Sequence, residues 1–426
     1  MKASAHNYFV PYNDGTIFMN GITEATFWVD DKHAQSVKQI IENPDSFPEC
    51  EKFLEKLTTQ GFIIPDDLDE GAAIKAKYEM LRMPEEYRIM ILPTYQCNLR
   101  CWYCVQAHED SWLSDEHIER IKKLIIKKID NPRIKRLNIS WFGGEPLMAY
   151  DKLLELTRFA QKLTQEKGMM FYCGITTNAT LLTPERIEEL HNAGVRFYQI
   201  TIDGEKADHD KVKQLGKRSA FDTTLANIAC LARHTHCTLR FNYTKETLKP
   251  ETIIKQIEER IPREVRHNID FNIQRVWQSE NSEEIDFKSV VKFLDLAKEI
   301  GITPSLKPCG LCYVDHKHFD CVYPSGVVGK CENDVEGMKH GSLGSNGDID
   351  YSTADTRHYT PTYEEKECEC QRCKYFPFCW GPCSQKRYLQ IKESGTIHCV
   401  WTDKESHMRK MICNTFLSSK YKSTKD

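Results

Sequence analysis

The run Arg88-Ile89-Met90-Ile91-Leu92-Pro93-Thr94-Tyr95-Gln96-Cys97-Asn98-Leu99-Arg100-Cys101-Trp102-Tyr103-Cys104 decides how the chain is read. Arg88–Leu92 has the apolar make-up of a short strand, and Pro93 follows it. A loop with the spacing Cys-x3-Cys-x2-Cys comes next, and His117–Ile129 then has the apolar period of an amphipathic helix. With 18 cysteines in 426 residues, chance supplies roughly 0.03 such triplets. Thiolates hold iron–sulfur clusters, usually four at a time. Three of them leave one iron with an open position where a ligand can bind. Zinc would ask for a fourth nearby Cys or His. His108 is close, but Cys-x3-Cys-x2-Cys-x3-His is an unusual zinc spacing.

Outward from this loop, strands and helices alternate. Strand-like runs recur at Leu137–Trp141, Phe171–Thr177, Phe197–Ile202, Thr238–Tyr243 and Ile269–Val276. Helical patterns lie between them, as at Leu153–Leu163 and Pro184–Asn192. The second has its own punctuation, with Thr183 as N-cap, Pro184 at the first helical position and Gly194 just past the end. Six βα units in a row predict an α/β fold with a parallel sheet, most simply a partial (β/α)6 barrel of the TIM type over residues 86–304. Chemistry is then expected at the C-terminal strand ends. Residues 1–85 form a separate small α+β region. Its strands are expected at Tyr8–Val10, Thr16–Met19 and Ala25–Val29, and its helices at Ala34–Ile41 and Cys50–Gln60. Residues 305–426 are cysteine-rich with little regular pattern, and such a region needs metal to hold it together.

Composition agrees with a soluble globular protein: 40% of residues are hydrophobic and 28% charged. A net charge of −4 gives no global pull toward nucleic acid or an anionic membrane. No apolar run approaches the ~20 residues of a membrane span. The N-terminus lacks the basic-then-apolar order of a signal peptide. A cytoplasmic location follows, and in that reducing compartment cysteines bind metal more often than they form disulfides.

With an aromatic before its third cysteine, the Cys97, Cys101, Cys104 motif resembles the signature of the radical SAM superfamily. The resemblance implies a [4Fe–4S] cluster whose open iron binds the amino and carboxylate groups of S-adenosyl-L-methionine (SAM). It implies an external one-electron reductant of flavodoxin or ferredoxin type. It also implies that SAM is cleaved to a 5′-deoxyadenosyl radical. Gly143-Gly144-Glu145-Pro146, a simple βα turn by itself, then resembles the element that binds the methionyl amino group. Thr177, Asn178 and Asn242, otherwise polar strand ends and caps, resemble SAM-contacting positions. Asp203 resembles a substrate-orienting one.

A second cysteine array, Cys370-x2-Cys373-x5-Cys379-x3-Cys383, is the most specific pattern in the chain, since chance supplies only about 0.001 of them. Upstream, Cys312-x13-Gly326-x4-Cys331 brackets a hairpin with Tyr323-Pro324-Ser325-Gly326 as its turn. The set, with Cys399, resembles the SPASM extension of radical SAM enzymes. It implies two auxiliary [4Fe–4S] clusters, one on Cys312, Cys331, Cys383 and an upstream cysteine, the other on Cys370, Cys373, Cys379 and Cys399. Cys309 is the expected upstream ligand, since it shares a loop with Cys312. Cys321, within a hairpin strand, is the rival, and a three-ligand cluster open to substrate is a third arrangement. Two closed zinc sites would look alike in composition. Cys50, Cys173, Cys230, Cys237, Cys368 and Cys413 are read as core or surface thiols. SPASM enzymes that oxidise sulfatases carry an Asp base after the cysteine matching Cys331. Here Glu332 stands there, as a candidate base or as a solvated carboxylate.

The order of elements in residues 1–85 resembles the winged-helix-like modules that bind leader peptides by strand addition. A plain stabilising extension reads nearly the same. The expectation is therefore a radical SAM/SPASM enzyme acting on a ribosomally made precursor peptide or protein, forming a thioether or carbon–carbon crosslink. An anaerobic sulfatase-maturing enzyme is the alternative, followed by an enzyme of quinone-like cofactor or carbohydrate synthesis. A non-catalytic iron–sulfur or zinc scaffold or electron carrier is the alternative of another class.

Overall fold

The structure, a computed structural model, describes residues 1–106, 108–276, 278, 287–306, 310–333, 337–351, 362 and 368–422. The chain divides into two compact units. One gathers Met1–Met83, Leu306–Lys317 and Thr356–Asp426; the other gathers Pro84–Ser305 and His318–Asp355.

In the first unit, β1 (Lys2–Ala3) pairs antiparallel with β5 (Ile63–Ile64), and β2 (Asn7–Tyr12), β3 (Gly15–Asn20) and β4 (Thr26–Asp30) form an antiparallel sheet with β3 central. The Asp30 side chain caps α1 (Asp31–Glu42) by accepting from the His33 backbone N–H. With α2 (Glu51–Thr59), this helix closes a core of Phe18, Ile41, Leu57, Phe62 and Ile63. Next, α3 (Glu70–Arg82) buries Tyr78 against Phe376, Trp380 and Cys370.

In the second unit, β6 (Glu86–Ile91), β7 (Arg136–Trp141), β8 (Met170–Thr177), β9 (Phe197–Asp203), β10 (Cys237–Tyr243) and β11 (Ile269–Arg275) lie side by side in chain order, all parallel. These are the six expected barrel strands. Along most of their length alternate residues, such as Ile89, Ile139, Ile200 and Phe241, are fully buried, and those between them, such as Asn138, Thr201 and Arg240, are half-buried. The crossovers are α4 (Asp115–Ile129), α5 (Tyr150–Glu166), α6 (Pro184–Asn192), the pair α7 (Lys206–Val212) and α8 (Ala220–Leu231), α9 (Pro250–Arg260) and α10 (Phe287–Glu299). In α4, Ser114 and His117 form a capping box, and Ile118, Ile121, Leu124, Ile125 and Ile129 are buried. Each such side chain contributes about 1.5–3 kcal/mol. The expected cap of α6 is present too, with the Thr183 side chain accepting from the Arg186 backbone N–H.

Short β12 (Thr303–Ser305) pairs with β11, and on the other side β13 (Phe319–Val322) pairs in parallel with β6. The antiparallel strands β14 (Val327–Gly329), β15 (Lys339–Leu343) and β16 (Ile349–Tyr351) continue from β13. Among the described residues the sheet stays open between β12 and β16, so the barrel is partial. The β13–β14 hairpin turns at Tyr323–Gly326, where Gly326 has φ +77° and its N–H donates to the Tyr323 carbonyl. Strands β13–β16 belong to the barrel sheet, although the sequence grouped them with the cysteine-rich tail. The rest of that tail carries more helix than its pattern suggested: α11 (Phe376–Cys379), α12 (Ser384–Ser394) and α13 (Lys404–Lys422).

Candidate functional site

A cavity of about 1010 Å³ lies where the strands β6–β11 end. Cys97, Cys101 and Cys104 line it, as do Gly143, Gly144, Thr177, Asn178 and Asn242. Positions nominated from four separate strand ends thus meet around one space. Burial pushes the Cys97 thiol up to about 12 and the Cys101 thiol up to about 11. Both therefore hold their protons at neutral pH until a metal displaces them.

The loop that carries the thiols is shaped by its neighbour. Phe142, Gly144 and Glu145 donate backbone N–H bonds to the carbonyls of Ile91, Thr94 and Gln96 at 3.0, 3.0 and 2.9 Å. A Cβ on Gly143, whose φ is +114°, would lie 2.5 Å from the Thr94 carbonyl oxygen, and one on Gly144 would lie 2.2 Å from that of Gln96. The two glycines thus make room first for the chain's own backbone. Glu145 and Pro146 stand behind the cavity. The Glu145 carboxylate is fully buried, and burial raises its pKa against the pull of its donors. Those donors are the Leu147 and Asn178 N–H groups at 3.0 and 2.9 Å and the Thr177 hydroxyl at 2.9 Å. It clamps the β7 turn to the end of β8. Asn178 in turn donates to Asn98 Oδ1 at 2.9 Å and reaches Cys97 Sγ at 3.8 Å, while its own Oδ1 accepts from Thr180. Polar strand ends that were read as SAM contacts also brace the thiol loop.

Asp203 is buried at the end of β9 and does not line the cavity. One carboxylate oxygen accepts from the Tyr103 hydroxyl and from Asn242 Nδ2 at 3.3 Å; the other lies 3.2 Å from Lys213 Nζ. Lys213, itself buried, also donates to the Thr201 carbonyl at 2.8 Å. Lys213, Arg240 and Arg275 bring positive charge to the cavity, and Tyr103 and Gln106 line it as well. None of the five was nominated from sequence. A charged residue inside an otherwise apolar strand, as at Arg240, was the available signal. Glu332 is half-buried beside Cys331. Its carbonyl accepts from Gln106 Nε2 at 3.1 Å, and its charge acts on Arg240.

In the other unit, Cys370, Cys373, Cys379 and Cys399 line a single cavity of about 400 Å³ beside Tyr375, Phe376 and Trp401. The turn that presents them passes through Trp380 and Gly381, at φ +59° and +81°. A Cβ on Gly381 would sit 3.3 Å from Cys370 Sγ. Lys404 Nζ lies 4.0 Å from Cys373 Sγ, a cation suited to a thiolate. Among the described residues no three His, Cys, Asp or Glu side chains stand close enough to share one metal ion. The four thiols instead surround a space, as the sulfur donors of a multi-iron cluster do. Cys312 is half-buried and Cys383 exposed in this unit, Cys331 is buried in the barrel unit, and Cys309 lies outside the described residues. Cys321 is fully buried on β13, facing the core. Cys368 packs in the apolar cluster around Tyr78.

Residues 91–257 match the model of the radical SAM superfamily. GTP 3',8-cyclase 1 of Mycobacterium tuberculosis is 28% identical over 171 residues, which cover 40% of this chain and 45% of that protein. AdoMet-dependent heme synthase of Methanosarcina barkeri is 34% identical over 166 residues, covering 39% and 44%. The chain thus spans less than half the length of these relatives. Among solved structures, native anSMEcpe with bound AdoMet aligns at a TM-score of 0.55 and 18% identity, covering 78% of this chain and 96% of that one. Streptococcus suis SuiB bound to precursor peptide SuiA aligns at 0.53 and 15% identity, covering 94% and 99%. These likenesses show a shared fold. Residues 91–257 carry the radical SAM match, on a fold shared with anSMEcpe and SuiB.

Proposed function

We propose that this enzyme abstracts hydrogen from a ribosomally made peptide or protein and leaves a thioether or carbon–carbon crosslink. The supporting observation is that seven cysteines form two separate thiol-lined cavities, three at the strand ends of the barrel and four in the other unit. The bound cluster and SAM supply the radical. This chain's residues orient and enclose it. Gly143 and Gly144 set the thiol loop, Asn178 and Thr177 brace it, and Lys213 and Arg240 offer cations to the anionic parts of the ligands. Asp203 acts through Tyr103 and Lys213 as a positioning residue. Glu332 accepts the proton that a substrate oxidation releases. Cys370, Cys373, Cys379 and Cys399 hold an auxiliary cluster.

Residues 1–85 would grip a leader peptide by strand addition at β4. Among the described residues β4 pairs only with β3, and it exposes Trp28. The β2 edge is less suited, because Pro11 lacks an N–H and its carbonyl already accepts from Arg409 at 3.0 Å. Anaerobic reconstitution with SAM, dithionite and a candidate precursor peptide tests the reading. Expected are about twelve irons per chain for three [4Fe–4S] clusters, 5′-deoxyadenosine, and a peptide lighter by two hydrogens. Deleting residues 1–85 should abolish leader binding. Full activity of that deletion on a sulfatase-derived peptide would instead favour the sulfatase-maturing reading, from which the chain departs by carrying Glu332 where those enzymes carry Asp.

A further inference from the structure

Among the described residues that line the four-thiol cavity, the charged ones are Glu369 and Lys404. They meet at 3.3 Å, and the other oxygen of the Glu369 carboxylate accepts from the Cys399 backbone N–H at 3.0 Å. One carboxylate therefore holds both the backbone of a thiol-bearing residue and an ammonium group. That ammonium stands 4.0 Å from Cys373 Sγ. Lys404 is the first residue of α13. A cation there opposes the helix dipole, so the needs of the helix do not account for it. Its place is fixed by the turn around it, where the Asp403 side chain accepts from the Ser406 N–H at 2.9 Å. The nearby Lys374 faces elsewhere: it pairs with Glu405 at 3.4 Å and does not line this cavity.

We propose that Lys404 raises the reduction potential of the cluster on Cys370, Cys373, Cys379 and Cys399, and that Glu369 is the residue that positions it. This rests on the reading that those thiols hold a cluster. Four thiolates give such a cluster a negative charge, and reduction adds one more. A fixed cation beside a ligand sulfur stabilises the more negative state, so reduction becomes easier. Iron–sulfur potentials respond to net charge, to hydrogen bonds at the sulfurs and to solvent exposure. All three meet at Lys404. Its side chain is 34% exposed and Glu369 offsets part of its charge, which puts the effect at the low end for charges about 4 Å apart.

The test uses reconstituted full-length protein, poised anaerobically with dithionite and read by electron paramagnetic resonance. Dithionite, oxidised to sulfite, supplies the one electron the cluster takes up, and no bond in the protein forms or breaks. The signal of this site is the one that Cys379→Ala removes. Lys404→Met should make reduction about tenfold less favourable, a fall of about 59 mV in midpoint, with iron content unchanged. Lys404→Arg, which keeps the charge, should hold the parent midpoint. High salt should narrow the gap between the parent and Lys404→Met, because the ammonium is partly exposed. An unchanged midpoint in Lys404→Met overturns the proposal, as does an equal fall in Lys404→Arg. So does loss of iron from a folded Lys404→Met, since the lysine is then needed to build the site and not to tune it. If circular dichroism shows Lys404→Met unfolded, Lys404→Gln is read in its place. Cys379→Ala also isolates the underlying reading. If it keeps all its iron, the cluster assignment fails and the tuning proposal falls with it. If it loses iron while the Lys404→Met midpoint equals the parent's, only the tuning proposal fails.

Discussion

A carbon atom the chain omits is the sharpest residue-scale constraint. Gly144→Ala would place a methyl 2.2 Å from the Gln96 carbonyl oxygen, so the thiol loop must shift. A displacement near 1 Å costs on the order of 10²-fold in rate. 5′-Deoxyadenosine formation should fall by that factor, with circular dichroism unchanged. Lys213→Met leaves the Asp203 carboxylate buried without its cation. Denaturant midpoints should report a loss of about 3–5 kcal/mol, part of which Asp203→Asn in the same chain restores. His209 accepts from the Asp203 N–H and packs on Phe221. Burial lowers its pKa from 6.5 to about 3. The unfolded chain therefore takes up a proton that the folded chain refuses. The stability present above pH 6.5 is lost as pH falls from there toward about 3. His209→Gln should remove a slope approaching about 1.4 kcal/mol per pH unit in that window. The cysteine triplet and the glycine pair were legible because spacing alone marks them. Lys213, Tyr103 and Gln106 were not, since a lone lysine or tyrosine has no meaning until burial and partners give it one.

Among the elements, helix α3 matters for a reason its sequence does not reveal. Its Tyr78 packs beneath the turn that presents the four thiols, with ring centroids 6.1 Å from Phe376 and 5.3 Å from Trp380. Tyr78→Ala should cost about 3–5 kcal/mol and release the irons of that site. The characteristic cluster signal of the barrel should survive, as separate electron paramagnetic resonance spectra can show. The six barrel strands and their helices were readable because apolar runs and caps are local signals. The helical content of the tail was not. In α13 the buried Met408, Ile412 and Leu417 are interleaved with lysines and serines, and the N-terminal sheet against which it packs is almost four hundred residues earlier.

At the scale of the whole molecule, chain order and spatial order part company. The barrel sheet gains β13–β16 only after β12 has been laid at its opposite edge. A fragment of residues 84–355 should therefore stay in the soluble fraction. One of residues 84–305 should aggregate through the uncovered side of β6. No helix of the described residues is long and apolar enough to cross a membrane. The pairing of β6 with β13 also sets a clock on biosynthesis. Phe319 must reach Arg88 across the intervening chain. At about 5–20 residues per second of translation, the strand leading into the thiol loop waits roughly 10–50 seconds for its second neighbour to leave the ribosome. Iron loading in the cell would then belong to a late stage of synthesis, and nascent chains stalled before that point would be targets for chaperones.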